Sequence, residues 1–92
     1  MKTVTITVSP SGAVFKLNID GKPISASGGT ASKNLPGGRE HALQWWIKGP
    51  NGTKYTVAIT APPEAATKYT ATFNKDGEDA NQLWFWLDLE KS

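Results

Sequence analysis

Glu40 and His41 are the first residues to question, because His41 is the single histidine in a chain of 92 residues. Imidazole is the commonest general base, and a triad needs a nucleophile on one side of it and an orienting acid on the other. Neighbours on an extended strand point to opposite faces, so Glu40 does not orient His41. Ser27-Gly28-Gly29 lacks the leading glycine of a G-x-S-x-G elbow. No G-x-x-x-x-G-K-[ST] phosphate loop occurs either. The chain has no cysteine, which removes thiolate nucleophiles, disulfides and Cys-ligated zinc. One histidine cannot build a histidine metal cluster. The expectation is a non-catalytic chain without cofactor or metal, in which His41 is an ordinary strand-start residue.

Asn74, Asp76, Glu78 and Asp79 gather oxygen donors of the kind calcium prefers. The glycine of a calcium loop directly follows its third ligand, and here Gly77 falls between candidate ligands instead. The segment Asn74 to Asn81 therefore reads as a solvated hairpin turn. Asn51-Gly52-Thr53 matches a glycosylation acceptor, yet Asn-Gly is also a preferred hairpin dipeptide, and the turn explains it fully.

Tryptophan is the informative residue, with four in the chain. Trp45 shares a strand face with Leu43 and Ile47, which makes it core. Trp46 shares its face with Gln44 and Lys48, while Trp84 and Trp86 share theirs with Asp88 and Glu90. Three tryptophans therefore belong to an outer face. Half-accessible, they would expose about 300 Å², as large as the biggest apolar patch on an ordinary monomer.

Period-two alternation must position them. Val4, Ile6 and Val8 alternate with threonines. Ala13, Phe15, Leu17 and Ile19 form a second inward face, and Leu43, Trp45 and Ile47 a third. Tyr55, Val57 and Ile59 follow, then Tyr69, Ala71 and Phe73, then Leu83, Phe85, Leu87 and Leu89. No window carries a helical apolar stripe, and Pro62 to Ala66 supports one helical turn at most. Ser9-Pro10-Ser11-Gly12 separates the first two strands, Asp20-Gly21 is a tight turn, and Pro50-Asn51-Gly52 reads as a hairpin tip. Pro23 suits only an edge strand or a strand start. The Gly- and Ser-rich stretch Ser25 to Gly38 holds a short strand around Thr30 to Leu35. Residues 1–92 read as one all-β domain, an antiparallel two-sheet sandwich of six to seven strands, with a small Greek-key barrel as the alternative.

The succession Asp20-Gly21-Lys22-Pro23, Leu35-Pro36-Gly37-Gly38, His41 to Trp45 and Gly52 to Val57 resembles bacterial immunoglobulin-like and fibronectin-III-like domains over most of the chain. That resemblance implies an order in which the strands bearing Trp46 and Trp84/Trp86 flank a central strand, Lys68 to Phe73. Thr70 and Thr72 would then floor a groove between aromatic walls about 10 Å apart, with Lys48 and Lys68 at its edge. Such a groove suits a protein partner or a second copy of the chain. It also suits a sugar ring stacked between Trp46 and Trp84 or Trp86. The remaining reading is structural: the indoles lie flat over the threonines or under the segment Ser25 to Gly38.

Charge narrows the partners. Ten basic and eight acidic residues leave a net charge of +2. Nine lysines and Arg39 are scattered from Lys2 to Lys91 without a run, which speaks against nucleic acid. No stretch approaches the ~20 apolar residues of a membrane helix, and the first residues alternate rather than forming a signal-peptide core. Both the cytoplasm and secretion with a removed leader fit these features.

Overall fold

The computed structural model describes residues 1–10 and 12–89. Ser11, assigned above to a turn, and Glu90, assigned to an outer face, lie outside the described residues. The described strands are β1 (Lys2–Ser9), β2 (Val14–Ile19), β3 (Lys22–Ile24), β4 (Ala26–Ser27), β5 (Thr30–Leu35), β6 (Arg39–Lys48), β7 (Lys54–Ala61), β8 (Thr67–Thr72) and β9 (Glu78–Leu87). A 3-10 turn, Pro63–Ala65, joins β7 to β8. Lys2 at the start of β1 forms an ion pair with Glu64 of that turn.

Two antiparallel sheets result, β4-β5-β1-β7-β8 and β3-β2-β6-β9. This is the expected all-β, two-sheet sandwich. Seven strands have six or more residues, and β3 and β4 are short additions of three and two. Pro23 sits on β3, an edge strand, where a missing amide costs no ladder bond. The segment around Thr30 to Leu35 is a strand as expected, joined to β4 through Gly28-Gly29.

Alternation builds the core. Val4, Ile6 and Val8 of β1 and Tyr55, Val57 and Ile59 of β7 face Leu17, Ile19, Leu43, Trp45, Ile47, Phe85 and Leu87 of the other sheet, all buried. Each such side chain contributes about 1.5–3 kcal/mol by leaving water. Phe15, Tyr69, Ala71 and Leu83 pack against this cluster partly buried. Leu89, expected inside, lies beyond the end of β9 and is 77% exposed.

Two turn assignments need correction. Pro50-Asn51-Gly52 is no hairpin tip, because β6 and β7 belong to different sheets. It is a corner, held where Gly52 N donates to Phe73 O at 3.0 Å. Asn74 to Asn81 is likewise a crossing between sheets, and its last residues, from Glu78, already belong to β9. The strand order also departs from the one the resemblance implies. β8, which carries Lys68, Thr70 and Thr72, pairs with β7 in the five-stranded sheet, while β6 and β9 pair directly with each other.

Candidate functional site

The outer face of the four-stranded sheet follows from its register. Trp46 lies between Lys16 of β2 and Ala80 of β9. Ala42 faces Trp84, Glu40 faces Trp86, and Gln44 faces Gln82, whose side chains hydrogen-bond at 3.2 Å. All three outward tryptophans are on the face that alternation assigns them, and Trp45 is core, 3% exposed. They do not form one patch. Ala80 and Trp84 are four residues apart on β9, which places Trp46 about 14 Å along the strand from Trp84. The glutamine pair fills the gap, and Trp46 is half-buried.

Trp84 and Trp86, by contrast, are same-face neighbours about 7 Å apart. They are 59% and 51% exposed. Ala42 opposite Trp84 is too small to cover it. Trp86 Nε1 donates to Asp88 Oδ1 at 3.1 Å, which fixes the ring's direction. The segment Ser25 to Gly38 does not cover either indole, since its strands extend the other sheet.

The threonine-floored groove is not formed. Thr70 faces Thr56 with hydroxyls 3.0 Å apart, Thr72 faces Lys54 and Lys68 faces Ala58, all on the other sheet. Lys48 closes β6 opposite Glu78, at the far end from Trp86. Two walls gripping a sugar ring between Trp46 and Trp84 are therefore not present in this geometry.

β9 is also an edge strand. Ala80 N donates to Asp79 Oδ1 at 3.0 Å and Gln82 N to Asn81 Oδ1 at 2.8 Å. Backbone groups alternate in direction along an antiparallel strand. Leu87 O turns toward the sheet, accepting from Gly38 N at 2.7 Å. The amides of Ala80, Gln82, Trp84 and Trp86 therefore point to the open side. Side chains cap the first two. Among the described residues, no side chain caps Trp84 or Trp86.

His41 has an orienting acid that is distant in sequence. Glu40 indeed does not orient it, but Asp20 does: His41 Nδ1 lies 2.6 Å from Asp20 Oδ2. Asp20 Oδ1 also accepts from Ala42 N at 2.9 Å. Asp20 occupies the β2–β3 turn with φ 52°, beside Gly21 at φ 82°. Aspartate tolerates that left-handed conformation, and the turn aims its carboxylate across β2 onto β6. Partial burial opposes its charge, but hydrogen bonds from His41 and the Ala42 amide, with the His41 and Arg39 charges, hold the carboxyl below its ordinary range. This pair is half of a triad only. His41 is 1% exposed, and Nε2, where a nucleophile would stand, meets Pro36 O at 2.9 Å.

Asp79 also departs from its expected place in a solvated turn. It accepts from Tyr55 Oη at 2.5 Å, and Trp45 Nε1 donates to that hydroxyl at 3.2 Å. Burial first, then the bond to Asp79, raises the Tyr55 hydroxyl above the ordinary tyrosine value. Asn74 Oδ1 accepts from Asp76 N at 2.9 Å, which closes the turn locally. Among the described residues no three His, Cys, Asp or Glu side chains converge as a metal site, and no helix is long and apolar enough to cross a membrane.

Comparison with protein-family models, with curated proteins and with solved structures finds no match for this chain.

Proposed function

We propose that this domain is a non-catalytic interaction module that binds a protein partner through the Trp84–Trp86 face of β9. One observation carries the reading: two indoles, 59% and 51% exposed, stand side by side on an outer strand face. Large apolar side chains left bare in company, rather than singly, mark a contact surface. Tryptophan is the residue type most enriched among residues that dominate binding energy. The likeness to bacterial immunoglobulin-like and fibronectin-III-like modules, at the level of two packed sheets with turn-rich connections, supports the same class of role. Trp46, Lys48, Lys68, Thr70 and Thr72 fall outside this narrower site.

The test is a pull-down and calorimetric comparison of wild type with Trp84→Ala/Trp86→Ala, followed by titration of each captured protein. Binding that the double variant loses, with its melting curve unchanged, supports the reading. Binding that survives the double variant overturns it.

A further inference from the structure

We infer that β9 receives an extended, lysine- or arginine-bearing segment of its partner as an added strand, beside Trp84 and Trp86. The inference rests on the reading of that face as the contact site and names the kind of partner it takes. Strand addition needs an open edge, because main-chain hydrogen bonds supply much of the affinity. β9 is ten residues long and, among the described residues, unpaired on one side. Asp79 and Asn81 close its first half by capping the outward amides of Ala80 and Gln82. Among the described residues, nothing takes the outward backbone of Trp84 and Trp86. Natural sheets blunt edges they do not use, commonly with lysine or proline. β9 carries neither.

Charge selects the occupant. Glu40 stands directly opposite Trp86, and Asp88 accepts from its indole. Among the described residues no lysine, arginine or histidine forms an ion pair with either carboxylate. An acidic, aromatic corner thus stands on a chain whose net charge is +2. On an added strand, the side chain beside an indole sits about 5 Å away between Cβ atoms. A lysine or arginine there meets a half-exposed indole and a nearby carboxylate, a cation–π contact reinforced by charge.

A second copy of the chain fits less well. Another β9 carries no lysine or arginine to set against Glu40 and Asp88.

The test uses the whole chain and three short synthetic peptides. One alternates lysine with threonine or valine, one replaces the lysines by glutamate, and one keeps the lysines but places proline at two central positions. Binding is read from tryptophan fluorescence and from the backbone amide shifts of Trp84 and Trp86. The expected result is saturable binding of the first peptide alone. Trp86→Ala and Glu40→Gln should each weaken it about 3- to 30-fold. Equal binding of the proline peptide overturns strand addition while leaving the tryptophan contact standing. Equal binding of the glutamate peptide overturns the charge selection. Unweakened binding by Trp84→Ala/Trp86→Ala, with a native melting curve, overturns both the inference and the reading beneath it. No binding of any peptide at millimolar concentration overturns the inference alone.

Discussion

His41 Nδ1 lies 2.6 Å from Asp20 Oδ2, tying the β2–β3 turn to the first buried residue of β6. The ring's other nitrogen meets the Pro36 carbonyl, and the ring stacks on Phe85 with centroids 5.5 Å apart. Both nitrogens thus face oxygen atoms of neighbouring segments. The pair fastens three segments, the β2–β3 turn, the Pro36 turn and β6, at one end of the sandwich.

Acid stability should depend on Asp20. Its folded carboxyl titrates below the unfolded value near 3.9. It therefore adds stability above that pH, and the contribution fades as pH falls through the folded value. Asp20→Asn cannot ionise and should lose about 1–3 kcal/mol at pH 7, with a smaller difference from wild type near pH 3. Urea midpoints at the two pH values check this. An equal difference at both would mean that the carboxylate's charge contributes nothing.

Tyr55 should set an alkaline counterpart. Its hydroxyl is held neutral by burial and by the bond to Asp79, so its folded pKa lies above the unfolded value near 10. The stability it adds is complete below pH 10 and declines as pH rises toward the folded value. Tyr55→Phe should remove that slope and also strand Trp45 Nε1 and Asp79, costing about 1–3 kcal/mol at pH 7. Thermal melts of both proteins between pH 7 and 11 separate the two effects.

Strand faces were legible in the sequence because side-chain direction along a strand depends only on parity. Trp45 inside and Trp46, Trp84 and Trp86 outside follow from that rule alone, as does the burial of His41, which shares parity with Leu43 and Trp45. Pairing was not legible. Turn residues at Pro50 to Gly52 and Asn74 to Asn81 report where a strand ends, and a corner between sheets uses the same residues as a hairpin. The groove floored by Thr70 and Thr72 failed for this reason. The Asp20–His41 and Tyr55–Asp79 bonds span 21 and 24 residues. No local pattern encodes such partners. The capping of Ala80 and Gln82 by the side chains before them was in principle readable, once β9 was known to be an edge.

Gly49 should resist any side chain. A Cβ there would stand 2.5 Å from Phe73 Cε2, and that ring is buried, 2% exposed. Gly49 N also donates to Gly77 O at 2.8 Å, which holds the corner after β6 against the turn before β9. Gly49→Ala must push the ring or the corner aside and should cost about 1–3 kcal/mol. Gly12→Ala, which meets nothing within 4 Å, is the control. Equal melting temperatures for the two variants would show that Phe73 relaxes freely.

Removing both exposed indoles should separate contact from stability. Trp84 and Trp86 face water, while Trp45 is buried and bonded to Tyr55, so the four tryptophans occupy different environments. Trp84→Ala/Trp86→Ala should change unfolding free energy by no more than about 0.5 kcal/mol per site, as surface substitutions do. Its remaining emission should shift to the blue and resist acrylamide, because Trp45 and half-buried Trp46 then dominate. Trp45→Ala should do the reverse, costing about 3–5 kcal/mol. Sedimentation completes the comparison. The wild type should run as a 9.9 kDa monomer across micromolar concentrations, since a second β9 brings no lysine or arginine to Glu40 and Asp88. A concentration-dependent dimer abolished by Trp84→Glu would instead place a second copy on β9. A double variant that unfolds would mean that the indoles are core and that the register of β9 on β6 is wrong.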